Sequence, residues 1–147
     1  MHYDIWRMDA LNQLQCHKAR KVSLLNIQKR IEGLERDVVA IRSSTADGTP
    51  VQGGGSGRED MLLNNIVERQ RLQESLVRTK NSVDSVERAL SALPDDDKRI
   101  LEYFYISPRK GAASQVAREL GIEEKTVYNR RNNAIRLFRI ALCGDIS

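Results

Sequence analysis

The sequence is short of aromatic residues, which make up 5% of its 147 positions: one Trp, two Phe and four Tyr. A chain with so few large rings does not build a thick core, and 30% charged residues alongside them favours helices and coiled coils. Cysteine is equally scarce. Cys16 and Cys143 lie far apart, with no metal-ligand spacing and too few thiols for a disulfide framework, so reduced thiols are expected. No apolar run approaches the roughly 20 residues that span a bilayer. Asp4, Arg7 and Asp9 interrupt the start of the chain where a signal peptide would be apolar. A cytoplasmic protein with no membrane partner is expected. Strand-like alternation and internal repeats are missing too. No catalytic constellation of acid, base or nucleophile is present, so no enzyme, no cofactor and no metal site is expected. His2 and His17 have no second ligand at helical spacing, and Cys143 has no neighbouring base.

What is present is helical periodicity. Asp4 can cap a first helix in which Ile5, Met8, Leu11 and Leu14 form a loose stripe. Tyr3 and Trp6 read as anchors against a neighbouring helix rather than as a stacking platform. A cleaner stripe then runs Leu24, Ile27, Ile31, Leu34, Val38, Ile41, with the 3,4 steps of a heptad seam. Traced backward, that register meets Arg20, His17 and Gln13, so the helix either kinks or restarts between Gln15 and Val22. Residues 43–58 contain Asp-Gly, Thr-Pro and a Gly-rich run, and read as a flexible loop. They lack the Gly-Lys-Ser/Thr ending of a phosphate-binding loop. Ser56 and Glu59 fit a capping box for a long helix that ends at Leu93, before Pro94. The two heptad helices either fold back as an antiparallel hairpin or pair with a second chain, giving a homodimer or higher oligomer.

The last third has a different grammar. Pro94 punctuates, and Asp95, Asp96 and Asp97 open a new helix, where the dipole favours them and explains them better than a cation would. Ile100, Leu101 and Phe104 point inward on it. After a turn at 107–111 come two short amphipathic patterns joined around Gly121. The first places Val116, Ala117 and Leu120 on one face; the second places Val127, Ala134, Ile135 and Phe138 on one face. This is the pattern of a helix-turn-helix. Between residues 109 and 139 there are eight Lys or Arg against three Glu. The second helix carries Lys125, Arg130, Arg131, Arg136 and Arg139 with Tyr128, Asn129, Asn132 and Asn133, and no acidic residue from 125 on. Basic and amide side chains on one exposed helix suit phosphates and base edges, so double-stranded DNA is the expected partner.

The N-terminal part of the second helix of such a motif enters the major groove. That puts Glu124, Lys125, Thr126, Tyr128 and Asn129 nearest the bases. Arg131 and Asn132 lie a turn further on, suited to a phosphate or flanking base, and Arg136 to a phosphate. Arg109, Lys110 and Ser114 would position the backbone around the first helix. Val116, Ala117, Leu120, Val127, Ile135 and Phe138 are the expected core.

Leu93-Pro94 with Arg99, Leu101 and Tyr105, then 116–122, Thr126-Val127 and 133–136, resembles region 4 of bacterial RNA polymerase sigma factors over about residues 93–142, a third of the chain. The whole layout is similar to the ArpU/RinA-type transcriptional regulators of Gram-positive phages and integrated elements. The resemblance implies a DNA-binding regulator of late phage genes, acting either by contact with RNA polymerase or by placing a dimer on two half-sites. Two positions depart from the sigma pattern. Ala112 stands where a threonine usually caps, leaving Gly111 to serve, and Arg130 stands where an apolar residue is common. The expected fold is all-α: helices over 1–42, the loop 43–58, a long coiled-coil-type helix over 59–93, and a sigma-region-4-like helix-turn-helix domain over 94–147. Two other readings fit the same layout, a small terminase-like DNA-packaging protein and a coiled-coil protein-interaction adaptor.

Overall fold

The computed structural model describes residues 2–43 and 54–145, and every regular element there is a helix. In chain order they are α1 (His2–Ser43), α2 (Gly54–Ser91), α3 (Asp95–Leu101) with a π-helical turn (Glu102–Ile106), α4 (Ala112–Leu120) and α5 (Glu124–Cys143). Among the described residues no helix is long and apolar enough to cross a membrane.

α1 runs unbroken through residues 15–22, which settles the choice left open by the polar register. Arg20 donates to Gln13 two turns back, and neither Pro nor Gly is there to end the helix. α2 begins at Gly54, earlier than the loop signals imply. Ser56 therefore lies inside the first turns and is not the N-cap. Extending an existing helix costs only the propensity penalty of each added residue, about 1 kcal/mol for Gly. Residues 44–53 of the expected loop, with the Asp-Gly and Thr-Pro signals, lie outside the described residues.

The chain divides into two compact units. One joins residues 1–21 to 81–147; the other is Val22–Lys80. In the second unit the arms from α1 and α2 run antiparallel. Asn65 Nδ2 donates to the Leu34 carbonyl at 2.9 Å, Arg58 Nη2 to the Ile41 carbonyl at 3.5 Å, and Arg30 pairs with Glu68 at 3.5 Å. Ile31 is buried, while Leu24, Ile27, Leu34, Val38 and Ile41 are half-buried, as two helices alone can cover only one face of each other. Among the described residues of this unit, Asn65 is the one buried polar residue. Its amide oxygen accepts from Arg69 Nε at 2.7 Å. Both ends of the amide are thus satisfied, and one register of the two arms is singled out.

The first unit has two adjoining clusters. Ala10 and Leu14 of α1, Val86 and Ala89 of α2, Leu93 just beyond it, Leu101, and Ala134, Ile135 and Phe138 of α5 form the larger one. Ile100, Ala113, Val116 and Val127 form the smaller one, with Ala117, Leu120 and Ile122 against it. The stripe expected at the start of α1 is corrected: Ile5 and Met8 are exposed, and the buried line is Ala10, Leu14 and His17. Trp6 is 36% exposed. The π turn is closed by Ser107 N–H to the Glu102 carbonyl at 2.9 Å. Its extra width splits three consecutive aromatics between the clusters: Tyr105 goes to the larger, Tyr103 and Phe104 to the smaller.

His17 is buried beside Glu87, with Nε2 at 3.8 Å. Burial, with Lys21 and Arg20 adding to it, holds the imidazole below its ordinary value against the pull of Glu87 and Glu102. Because the folded pKa is depressed, unfolding takes up a proton below about pH 6.5. The stability tied to neutral His17 is complete above that pH and is lost as pH falls through the folded value. Denaturation titrations between roughly pH 5 and 7 should show this slope, and His17→Gln should flatten it. Asn65→Ala should lower the unfolding free energy by about 1–2 kcal/mol, read from the denaturant midpoint; an unchanged midpoint would show that the amide is dispensable.

Candidate nucleic-acid interface

α4 and α5 are held at a fixed angle by their turn. Gly121 sits at φ 67°, in the left-handed region open to glycine. Ile122 N–H then reaches back to the Ala117 carbonyl at 3.0 Å, and the Ile122 side chain packs on the small cluster. That combination of a 6→1 bond with an apolar contact closes α4 as a Schellman motif. Gly111, at φ 72°, occupies the N-cap of α4 in place of a hydroxyl cap, and its carbonyl accepts from Gln115 N–H at 3.0 Å. Glu123 caps α5 in extended backbone, with no side-chain hydrogen bond.

Burial on α5 sorts its polar residues. Val127, Ala134, Ile135 and Phe138 are buried. Lys125, Asn129, Asn132 and Arg136 follow one another at steps of 4, 3 and 4, all exposed, on the side away from Val127, Ala134 and Phe138. Glu124 and Thr126 are exposed in the first turn, and Lys110 and Ser114 are exposed at the start of α4. Arg136 Nη2 donates to Asn133 Oδ1 at 3.2 Å, which orients the guanidinium along the helix surface.

Several basic residues do something other than face solvent. Arg130, counted on the basic face from the sequence, is half-buried and ion-paired to Asp96 at 3.6 Å and to buried Asp97 at 4.0 Å. Burial raises the Asp97 carboxyl above its ordinary value, Arg130 pulls it back, and Asp96 pushes it up. The aspartates opening α3 are thereby tied to α5. Among the described residues no group of His, Cys, Asp and Glu could hold a metal ion. Arg139 is buried, which removes a second cation from the expected exposed face. Arg130 lies three residues after Val127 and Arg139 four after Ile135, so both flank the buried line on the helical wheel. That spacing was the available signal.

Arg131 is half-buried. Its guanidinium carbon lies 5.1 Å from the centre of the Tyr128 ring and 5.3 Å from that of Phe104, while the two rings meet edge-on at 6.1 Å. Its Nε is buried without a hydrogen-bond partner. Arg109 stacks over Tyr103 with its guanidinium carbon 3.7 Å from the ring centre. Tyr103 Oη donates to Glu119 at 3.2 Å, Gln115 Nε2 to the same carboxylate at 3.2 Å, and Arg99 pairs with it at 3.5 Å. Glu119 is therefore satisfied locally. These aromatic–arginine stacks involve Tyr103 and Phe104, which sequence reasoning did not connect to α5.

Comparison with family models, with curated proteins and with solved structures finds no match to this chain.

Structural and surface cations should separate on substitution. Arg130→Ala leaves Asp97 without its counter-charge and should cost about 1–3 kcal/mol of stability, seen as a fall in Tm. Lys125→Ala, on the exposed face, should stay within about 0.5 kcal/mol of the parent.

Proposed function

We propose that this chain is a sequence-specific DNA-binding transcriptional regulator that lays α5 in the major groove of a duplex. The observation carrying the reading is the exposed line Lys125, Asn129, Asn132 and Arg136, set against the buried face of the second of two helices joined at Gly121. Asn129 and Asn132 can each offer an amide to adenine, and Lys125 can reach guanine acceptors. Glu124 at the helix entry can accept from a cytosine amine, and Thr126 stands beside it. Arg136 and Lys110 supply charge for phosphates, with Ser114 as a neutral donor. Arg131, clamped between Tyr128 and Phe104, presents its guanidinium end at low entropic cost. Arg109 is similarly held on Tyr103. In this reading α4 crosses the DNA backbone and α5 reads the bases.

The resemblance to sigma region 4 and to ArpU/RinA-type regulators supports the same assignment and narrows it to cytoplasmic control of phage or prophage late genes. A DNA-bound copy would then act by touching RNA polymerase or by occupying paired half-sites. The charges around α5 account for binding without a metal or cofactor.

Fluorescence anisotropy with duplexes selected from a random pool tests the reading. About four phosphate contacts should cost roughly 100-fold in affinity between 50 and 200 mM salt. Tyr128→Ala and Asn129→Ala should relax sequence preference, each by about 1–3 kcal/mol of discrimination. Arg136→Ala should weaken every duplex alike. Absent or salt-insensitive binding would sink the proposal, and equal losses on all sequences from all three variants would show that the groove face is misplaced.

A further inference from the structure

In the unit Val22–Lys80, α2 carries a second heptad line beside the one packed on α1. Leu63, Ile66, Gln70, Gln73 and Val77 are spaced 3, 4, 3 and 4. This line is turned away from the buried Asn65: Leu63 is 59% exposed, Ile66 43% and Val77 59%, and Val67 beside them is 46% exposed. Its middle is held by two uncharged amides, although the chain as a whole is 30% charged. Solvated helix faces usually place Lys, Glu or Arg at such positions. An apolar line with glutamines at its centre instead resembles the inside of a coiled coil, where amide pairs fix register.

The flanks indicate what covers it. With Leu63, Gln70 and Val77 as a positions and Ile66 and Gln73 as d, Arg69 falls at g and Glu74 at the following e. In two parallel copies of this helix, each Arg69 then faces Glu74 of the second copy, giving two equivalent ion pairs. Leu62 and Val67 occupy the preceding g and e positions and would meet in the same way as an apolar pair. Arg69 already donates through Nε to Asn65 Oδ1 at 2.7 Å, which leaves its terminal nitrogens for the second copy and holds the side chain in one rotamer. A two-fold interface needs one patch complementary to itself, and the Arg69 and Glu74 positions make this patch so in charge.

We propose that the Leu63–Val77 face of α2 is a self-association surface, and that its occupant is the same face of a second copy in parallel alignment. The line covers 15 residues, about 22 Å of helix, enough for a reversible rather than a permanent dimer. The proposal stands apart from DNA binding, because every residue it uses lies in the other unit.

Sedimentation equilibrium of the full chain, over a concentration series, tests it. The parent should approach a dimer in the micromolar range. Ile66→Glu and Val77→Glu, both at exposed positions, should weaken it at least about tenfold while leaving helicity by circular dichroism unchanged. Glu74→Arg, which sets a like charge against Arg69 of the second copy and leaves the Arg69–Asn65 bond in place, should weaken the dimer. A monomeric parent at the highest concentration, or a dimer indifferent to both glutamate substitutions, would overturn the self-association surface. A dimer unaffected by Glu74→Arg would overturn the parallel alignment. DNA binding by the monomeric variants to a single half-site should match the parent, which separates failure here from failure of the DNA reading.

Discussion

The constraint on which the C-terminal half depends is the burial of one side of α5. Val127 enters the smaller cluster, and Ala134, Ile135 and Phe138 enter the larger, so this helix belongs to both. Fully burying such side chains is worth about 1.5–3 kcal/mol apiece. Rotating α5 about its axis would forfeit most of that. The exposed side is therefore fixed by the buried one. The line of Lys125, Asn129, Asn132 and Arg136 is where it is because Val127, Ala134 and Phe138 are where they are. Gly121 and Ile122 then fix the angle at which α4 meets this helix, through the positive φ and the reach back to Ala117.

Charge in this unit is divided between holding and facing outward. Arg130 pairs with two of the aspartates at the start of α3, Asp96 and buried Asp97, and Glu119 is surrounded by Tyr103, Gln115 and Arg99. Arg109 and Arg131 lie on aromatic rings. Stacked guanidinium groups lose less side-chain entropy on meeting an anion than free ones do. The other unit uses polarity differently. Asn65 is satisfied on both sides by the Leu34 carbonyl and by Arg69, and fixes the register of two arms whose aliphatic seam alone tolerates sliding by a heptad.

Most of the fold was legible because helical periodicity is local. The seam from Leu24 to Ile41, the break at Pro94, the turn at Gly121 and the core positions Val116, Val127, Ile135 and Phe138 follow from spacing and from the conformational limits of Pro and Gly. The exposed side of α5 was legible to the same extent, since an exposed line is the complement of a buried one. The failures were of another kind. Arg130 and Arg139 sit at the border of the buried arc, where a few tens of degrees decide between solvent and interior. Ile5 and Met8 look like core and are exposed, while Ala10 and His17 are buried.

The sequence by itself determined that the chain is helical, where most of its helices stop, and which side of α5 turns inward, because each of these rests on interactions within about one turn of the chain. Only the tertiary structure decided that Ala10, Leu11 and Leu14 of α1 pack with the end of α2 and with α5, and that Arg130 answers Asp97. It alone placed Arg131 and Tyr128 against Phe104, which lies in a π turn that no local rule announces. Those contacts join residues tens of positions apart. Their energy depends on the distance between whole helices, which spacing along one helix does not contain.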